Sequence, residues 1–388
     1  MNKKRNKVSA TLFICLLMLV LQFNELKAQV SFIANGQNIT SSKSWDIHLV
    51  DLNGDSIPDA VFESKVWLNN GKGNFTKSEI YLGTGLYPNF ADLNGDGFVD
   101  IVNRDSIFLN DGKFHFYFSK KLATDISMYK SVLADINNDG YIDIISCSQT
   151  SDRILLNDGK GNFINTGKSL AGWAQATYAF GDINGDGFTD IYVAIPHTPP
   201  NGGHTPNLIW LGDGKGNFIQ KVHDLPGAEC RGVILADFDG DGSLDLYLSD
   251  AASSGMILLN DGKGNFAKSE QKLGSLVNAV KAADFNNDGN LDLFICSGDG
   301  KGVTGNGAPG TVWLGDGHGH FTDSKIRLQT GDSNSIAVDI ADLNNDGKPD
   351  VAVAKVKLNA KEGYAAVPCP VEIWLNTTQI QGSIRINR

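Results

Sequence analysis

Oxygen-bearing side chains recur in this chain at one fixed spacing. DLNGDSIPD begins at Asp51, DLNGDGFVD at Asp92, DINNDGYID at Asp135 and DINGDGFTD at Asp182. DFDGDGSLD follows at Asp237, DFNNDGNLD at Asp284 and DLNNDGKPD at Asp342. Each nonapeptide has Asp at positions 1, 5 and 9 and Asn or Asp at position 3. Six carry Gly at position 6, and the first carries Ser56 there. Such a turn offers one hard cation four side-chain oxygens and the carbonyl of position 7. Calcium takes about six to eight oxygens in flexible geometry, whereas magnesium demands stricter geometry and retains water. Gly at position 6 permits the positive φ that curls the chain around an ion.

The expected donors follow loop by loop. They are Asp51, Asn53, Asp55, the Ile57 carbonyl and Asp59, then Asp92, Asn94, Asp96, the Phe98 carbonyl and Asp100. The third and fourth sets are Asp135, Asn137, Asp139, Tyr141 and Asp143, and Asp182, Asn184, Asp186, Phe188 and Asp190. The fifth is Asp237, Asp239, Asp241, Ser243 and Asp245. The last two are Asp284, Asn286, Asp288, Asn290 and Asp292, and Asp342, Asn344, Asp346, Lys348 and Asp350. Up to seven calcium ions are therefore expected. An EF-hand is excluded, because it needs a bidentate Glu at position 12 and flanking helices. Position 12 is Phe62, Asn103, Ser146, Val193, Leu248, Ile295 and Val353 in turn.

The start of the chain reads as a signal peptide over 1–28. Lys3, Lys4, Arg5 and Lys7 precede an apolar stretch from Ala10 to Phe23, too short for a membrane span. Removing 1–28 takes away five bases and one acid, leaving 28 Lys+Arg against 43 Asp+Glu, a formal charge of −15. The seven loops hold 22 of those 43 acids, so the acidity belongs to the repeat. A chain this acidic, without basic runs, is unsuited to nucleic acid. An exported chain with no second apolar segment is expected, extracellular, at the cell surface or periplasmic, and monomeric. Export permits disulfides among Cys147, Cys230, Cys296 and Cys369, although small buried hydrophobes fit them better.

The loops must sit on a repeated scaffold. Their first residues are 41, 43, 47, 55, 47 and 58 apart. Between them recurs an apolar run, a Gly-rich turn and Phe, as in VWLNNGKGNF (Val66–Phe75) and ILLNDGKGNF (Ile154–Phe163). Each unit reads as four strands. The first precedes the acidic loop, the second follows its last Asp, the third ends in WLN and the fourth begins at the GNF Phe. The Asn-Asp-Gly turn is expected to supply the positive-φ residues of a tight hairpin. Four short strands per 40–50 residues indicate a blade, and seven units an all-β, seven-bladed β-propeller of four-stranded antiparallel blades over 29–377. The seventh unit stops at IWLNTTQ, so the segment from Ser31, with Phe32 as its GNF Phe, is expected to close the last blade. Residues 378–388 form a short tail.

These units resemble the FG-GAP (VCBS) repeats of integrin-α-like propellers, over nearly all of 31–377. The resemblance implies that the calcium sites are structural and that partners bind the face opposite them. Loop lengths point to the same face. From the last loop Asp to the WLN Trp position the spacing is 8, 8, 12, 20, 13, 21 and 24, and this variation falls on the 2–3 connections. The extra segments are Pro196–Asn207, Ser297–Gly310 and Lys355–Pro370. Elaborated loops on a rigid scaffold are common binding elements. Trp45, Tyr87, Tyr129, Trp173, His204, Arg231 and Tyr364 are the candidate ligand contacts, with Tyr178 beside them.

The expected function is a binding or adhesion module for a glycan or protein. No catalytic residue is assigned: GxSxG, HExxH and a Cys/His pair are all missing, and carboxylates tied to calcium are poor acids and bases. A carbohydrate-active enzyme, lyase or hydrolase, is the alternative, needing a cluster such as Lys361, Tyr364 and His204. A purely structural assembly component is the third reading.

Overall fold

The computed structural model describes residues 29–37, 39–41, 44–82, 88–124, 126–170, 176–195, 207–223, 225, 230–250, 253–298, 307–328, 333–359, 365–367 and 369–379. Their regular structure is all β, in seven blades of antiparallel strands. Blade 2 is typical. Its strands Asn89–Ala91, Asp100–Asn103, Ser106–Asn110 and Phe116–Lys121 pair in sequence order from the axis outward. Among the described residues no helix is long and apolar enough to cross a membrane.

Burial explains why each strand has its own composition. The second strand of every blade is buried on both faces, as in Asp143–Cys147 (DIISC) and Asp190–Ala194 (DIYVA). A continuous apolar run suits a strand sandwiched between neighbouring sheets. Outer strands alternate and face water, as Phe75–Tyr81 does. Their leading Phe turns inward: Phe75, Phe116 and Phe163 stand opposite Asn69, Asn110 and Asn157.

The described core divides into seven clusters, one per seam between neighbouring blades. Leu52, Val61, Val66 and Ile101 fill the seam between blades 1 and 2. Phe62, Ala60 and Phe75 meet Ala352, Val371 and Ile373 between blades 1 and 7, which makes the ring continuous. The apolar residue at loop position 2 is part of this packing. Leu52, Leu93, Ile136, Ile183, Phe238, Phe285 and Leu343 are all buried in the seam to the next blade.

The first and last described strands share the last blade. Strand Cys369–Asn376 pairs on its outer side with Phe32–Ala34 and Ile39–Ser41. Phe32 lies opposite Asn376, the register of every GNF Phe. Ser31 accepts a hydrogen bond from the Thr377 N–H at 2.8 Å. The ring therefore closes as the sequence indicates.

Two sequence readings need correction. The positive-φ residues of the 3–4 hairpins are glycines, as at Gly159 and Gly161, while Asn157 and Asp158 are not among them. Blade 2 places Phe114 at φ 60° where the other hairpins have Gly. The insert of blade 7 is shorter than its sequence bounds, because Lys355 and Val356 end one strand and Cys369 and Pro370 begin the next. Within it, Leu358–Asn359 pairs with Ala365–Ala366. The four cysteines are free and buried, Cys147, Cys230, Cys296 and Cys369 lying in separate sheets or links.

Candidate functional site

Each acidic loop joins the first and second strands of a blade, and its last Asp opens the second strand. That carboxylate is fully buried in all seven copies. Asp100 shows its role. One oxygen accepts the N–H of Leu93 at loop position 2 (3.0 Å), the other the N–H of Asn110 at the end of the third strand (2.8 Å). The same two bonds recur at Asp59, Asp143, Asp190, Asp245, Asp292 and Asp350. Position 9 thus ties the loop to two strands of its own blade.

Position 1 faces the inside of the turn. Asp92 accepts N–H groups from Asn94, Gly95 and Asp96 on one oxygen and from Gly97 on the other. At position 3, Asn94 donates to Asp96 (2.8 Å) and accepts the Asp96 N–H (3.0 Å). In loop 5, where position 3 is Asp239, ligand oxygens of Asp237, Asp239 and Asp245 all lie within 4.8 Å of one another. The donor set is wholly oxygen, without His or Cys, and suits a hard divalent cation. The fold itself brings these three carboxylates of loop 5 together.

Burial sets the protonation of position 9. It pushes the carboxyls of Asp59, Asp100, Asp143, Asp245 and Asp350 up to about 6, and that of Asp292 to about 7. Asp190 is also raised by burial. Backbone N–H donors oppose the rise, and the aspartates at positions 1 and 5 add to it in most loops. A cation beside these groups would favour their ionised form.

A contact that sequence reasoning missed joins the loops to one another. Asn157, last residue of a third strand, donates to the Leu93 carbonyl of the preceding blade's loop at 2.9 Å. It also donates to Ile142 O of its own loop at 3.0 Å. Asn69, Asn110, Asn260 and Asn376 bridge to Leu343, Leu52, Ile183 and Phe285 in the same way. Blades 4 and 6 have Gly212 and Gly315 instead. A Cβ there would stand 2.2 Å from the carbonyls of Thr189 and Leu291, so Gly is required. The signal was present in the recurring Asn of WLN and LLN, which the sequence alone assigns to the hairpin.

The acidic loops and 3–4 hairpins share one face. Phe98, Tyr141 and Phe188 at position 7 lie over Gly112, Gly159 and Gly214 of their own hairpins, leaving no room for a Cβ. The 2–3 turns and 4–1 links share the other face: Leu82 N–H donates to Ser64 O and Leu122 N–H to Asp105 O. On this second face Trp45 is exposed and Tyr129 half-buried. Arg231 is exposed and donates to Asn278 at 3.2 Å. Tyr178 is buried, donating to Asp152 at 3.0 Å, so it belongs to the core and not to a rim. Tyr87, Trp173, His204, Tyr364 and Lys361 lie outside the described residues.

Comparison with known proteins agrees with this architecture. The FG-GAP-like repeat family model matches residues 135–193, 182–248, 237–295 and 284–353. The chain belongs to the FG-GAP-like repeat family. Each matched window runs from one acidic loop into the second strand of the next blade, and the windows together reach from blade 3 to blade 7. Among solved structures, the FG-GAP propeller is similar to a lectin of Agrocybe aegerita, described as specifically recognising non-reducing terminal N-acetylglucosamine. The identity is 20% and the TM-score 0.54, over 74% of this chain and 80% of that one. It is also similar to BBS1N, solved in complex with ARL6DN, at 11% identity and TM-score 0.55, over 92% and 100%. Likeness at these identities establishes the fold alone. No curated protein matches the chain.

Proposed function

We propose that this FG-GAP propeller is an exported binding or adhesion module whose seven acidic loops hold calcium as structural staples. The glycan or protein ligand is taken on the opposite face. The observation that carries the reading is the double engagement of every position-9 carboxylate by backbone N–H groups. Loops so engaged, and bridged from blade to blade by asparagines, are parts of the frame. Calcium would sit among Asp, Asn and Asp at positions 1, 3 and 5 and the buried Asp at 9, and would neutralise carboxylates that burial makes costly to ionise. Cation binding to the folded chain alone raises its stability by mass action. The Agrocybe lectin, a fold relative, supports glycan recognition as one use of such a frame.

Two measurements test the reading. Calorimetry of calcium-stripped and calcium-saturated protein should show a clear rise in Tm with the ion, and an unchanged Tm removes the staple role. Glycan-array and pull-down binding should fall when the segments 298–309 and 357–368, which lie between the flanking strands, are trimmed. Binding that survives both trims moves the ligand site elsewhere.

A further inference from the structure

On the face opposite the acidic loops, a cavity of about 520 Å³ opens at blade 2. It lies within the range of about 300–1,000 Å³ usual for small-molecule sites. Leu82, Phe108 and Met128 form its apolar part, and Asn103, Arg104 and Lys121 its polar part. Blade 2 has one of the two shortest 2–3 connections, so loop length gives no hint of it.

Three features of the lining point to a ligand. Asn103 is 7% exposed, and its side-chain Oδ1 has no hydrogen-bond partner while Nδ2 donates to Leu82 O at 2.8 Å. The corresponding second-strand position is Phe62, Val193, Leu248, Ile295 and Val353 in five other blades, all buried and apolar. A buried amide in place of an apolar residue, with one end unsatisfied, is destabilising unless something supplies the missing donor. Arg104 is the second feature. Its guanidinium donates to Met128 O at 3.2 Å, and among the described residues no carboxylate is paired with it. The nearby Asp105 is already occupied, by Lys121 at 3.1 Å and by Ser106 at 3.0 Å. The third feature is Phe108, an aromatic wall held edge-on by Phe118 at 5.9 Å.

We infer that this cavity binds an acidic saccharide unit, a uronate. Its carboxylate takes the free edge of the Arg104 fork, the geometry guanidinium groups favour. A ring hydroxyl supplies the donor that Asn103 Oδ1 lacks, and the apolar side of the ring lies against Phe108. The inference rests on the reading of this face as a glycan-binding face and names the unit it would select.

The test uses the full chain with calcium and the methyl glycosides of glucuronate, galacturonate and mannuronate, each beside its neutral parent sugar. Saturation-transfer NMR and calorimetric titration read the binding. At least one uronide should bind, and its neutral parent should bind tenfold or more weakly. Arg104→Asn removes the guanidinium with a residue that tolerates the observed φ of 55°. It should weaken uronide binding tenfold or more with an unchanged unfolding midpoint. Silence toward all three uronides overturns the inference, as does equal binding by Arg104→Asn or by the neutral sugars. Array or pull-down binding lost on trimming 298–309 and 357–368, together with that silence, leaves the broader binding-module reading standing and removes this site alone.

Discussion

Replacing Asn157 by Ala should destabilise the propeller by about 2–4 kcal/mol. The side chain, 5% exposed, donates to two carbonyls, Leu93 O of blade 2 at 2.9 Å and Ile142 O of its own loop at 3.0 Å. Its Oδ1 also accepts the Gly159 N–H at 3.1 Å. Alanine orphans three polar groups, and a buried one left unpaired costs about 1–3 kcal/mol. Two of the three bonds are only part-buried, so water entering from the hairpin side recovers much of this and places the net effect at the low end of that sum. The assay is urea unfolding at saturating calcium, with Asp158→Ala as a control at an exposed residue of the same hairpin, expected within about 0.5 kcal/mol to 1 kcal/mol of wild type. A loss below about 0.5 kcal/mol for Asn157→Ala would refute the asparagine bridge as a tie between blades. Asn376→Ala, at the seam between blades 6 and 7, should cost less than Asn157→Ala, since it repeats the bonds to the preceding blade's loop (Phe285 O) and from the residue two ahead (Thr378 N) without the bond to its own loop.

Three further outcomes are expected. Deleting residues 29–41 strips both outer strands from blade 7 and removes buried Val30 and Ile39, each worth about 1.5–3 kcal/mol, so Tm should drop sharply; a truncated chain melting with the full one would disprove closure by the N-terminal segment. Ser56 holds φ 67° where the other loops have Gly, so Ser56→Gly should stabilise by about 0.5–1 kcal/mol in urea unfolding, and a loss would show that the hydroxyl matters more than the backbone. In calcium-stripped protein, the raised position-9 carboxyls keep protons in the folded chain that the unfolded chain has released. Their contribution is fully present below about pH 4 and is lost as pH rises through about 6 to 7, so the urea midpoint should decline over that window. A midpoint that climbs from pH 4.5 to 7.5 would contradict it.

Much of the fold was legible because each repeat carries its structure locally. Turn glycines, the Asp at position 9 and the Phe of GNF act within one blade, and their spacing sets strand order and register. Even ring closure was readable, since Phe32 and the truncated seventh unit are complementary halves of one motif. The asparagine bridges were not readable in the same way. Asn157 is two residues from Gly159 in the chain and 64 from Leu93, and only the second contact ties blades together. A residue that suits a turn hides any longer-range duty it performs. Tyr178 misled for a related reason: its place near the end of a first strand fits a rim, but the buried Asp152, 26 residues away, draws it inward.

The sequence by itself determined the seven-fold repeat, the four-stranded blade, the oxygen-rich loops and the seam that joins the two ends. Local spacing suffices for all of them, because strands of one blade are neighbours in the chain. Tertiary structure decided what happens between blades and across the second face. It plugged each loop's position-2 side chain into the next seam and gave each position-9 carboxylate its two backbone donors. It also left one amide oxygen, that of Asn103, without a partner beside a cavity that no loop length announced. Those outcomes depend on distances between residues tens of positions apart, which packing of seven twisted sheets around an axis sets and a linear pattern does not record.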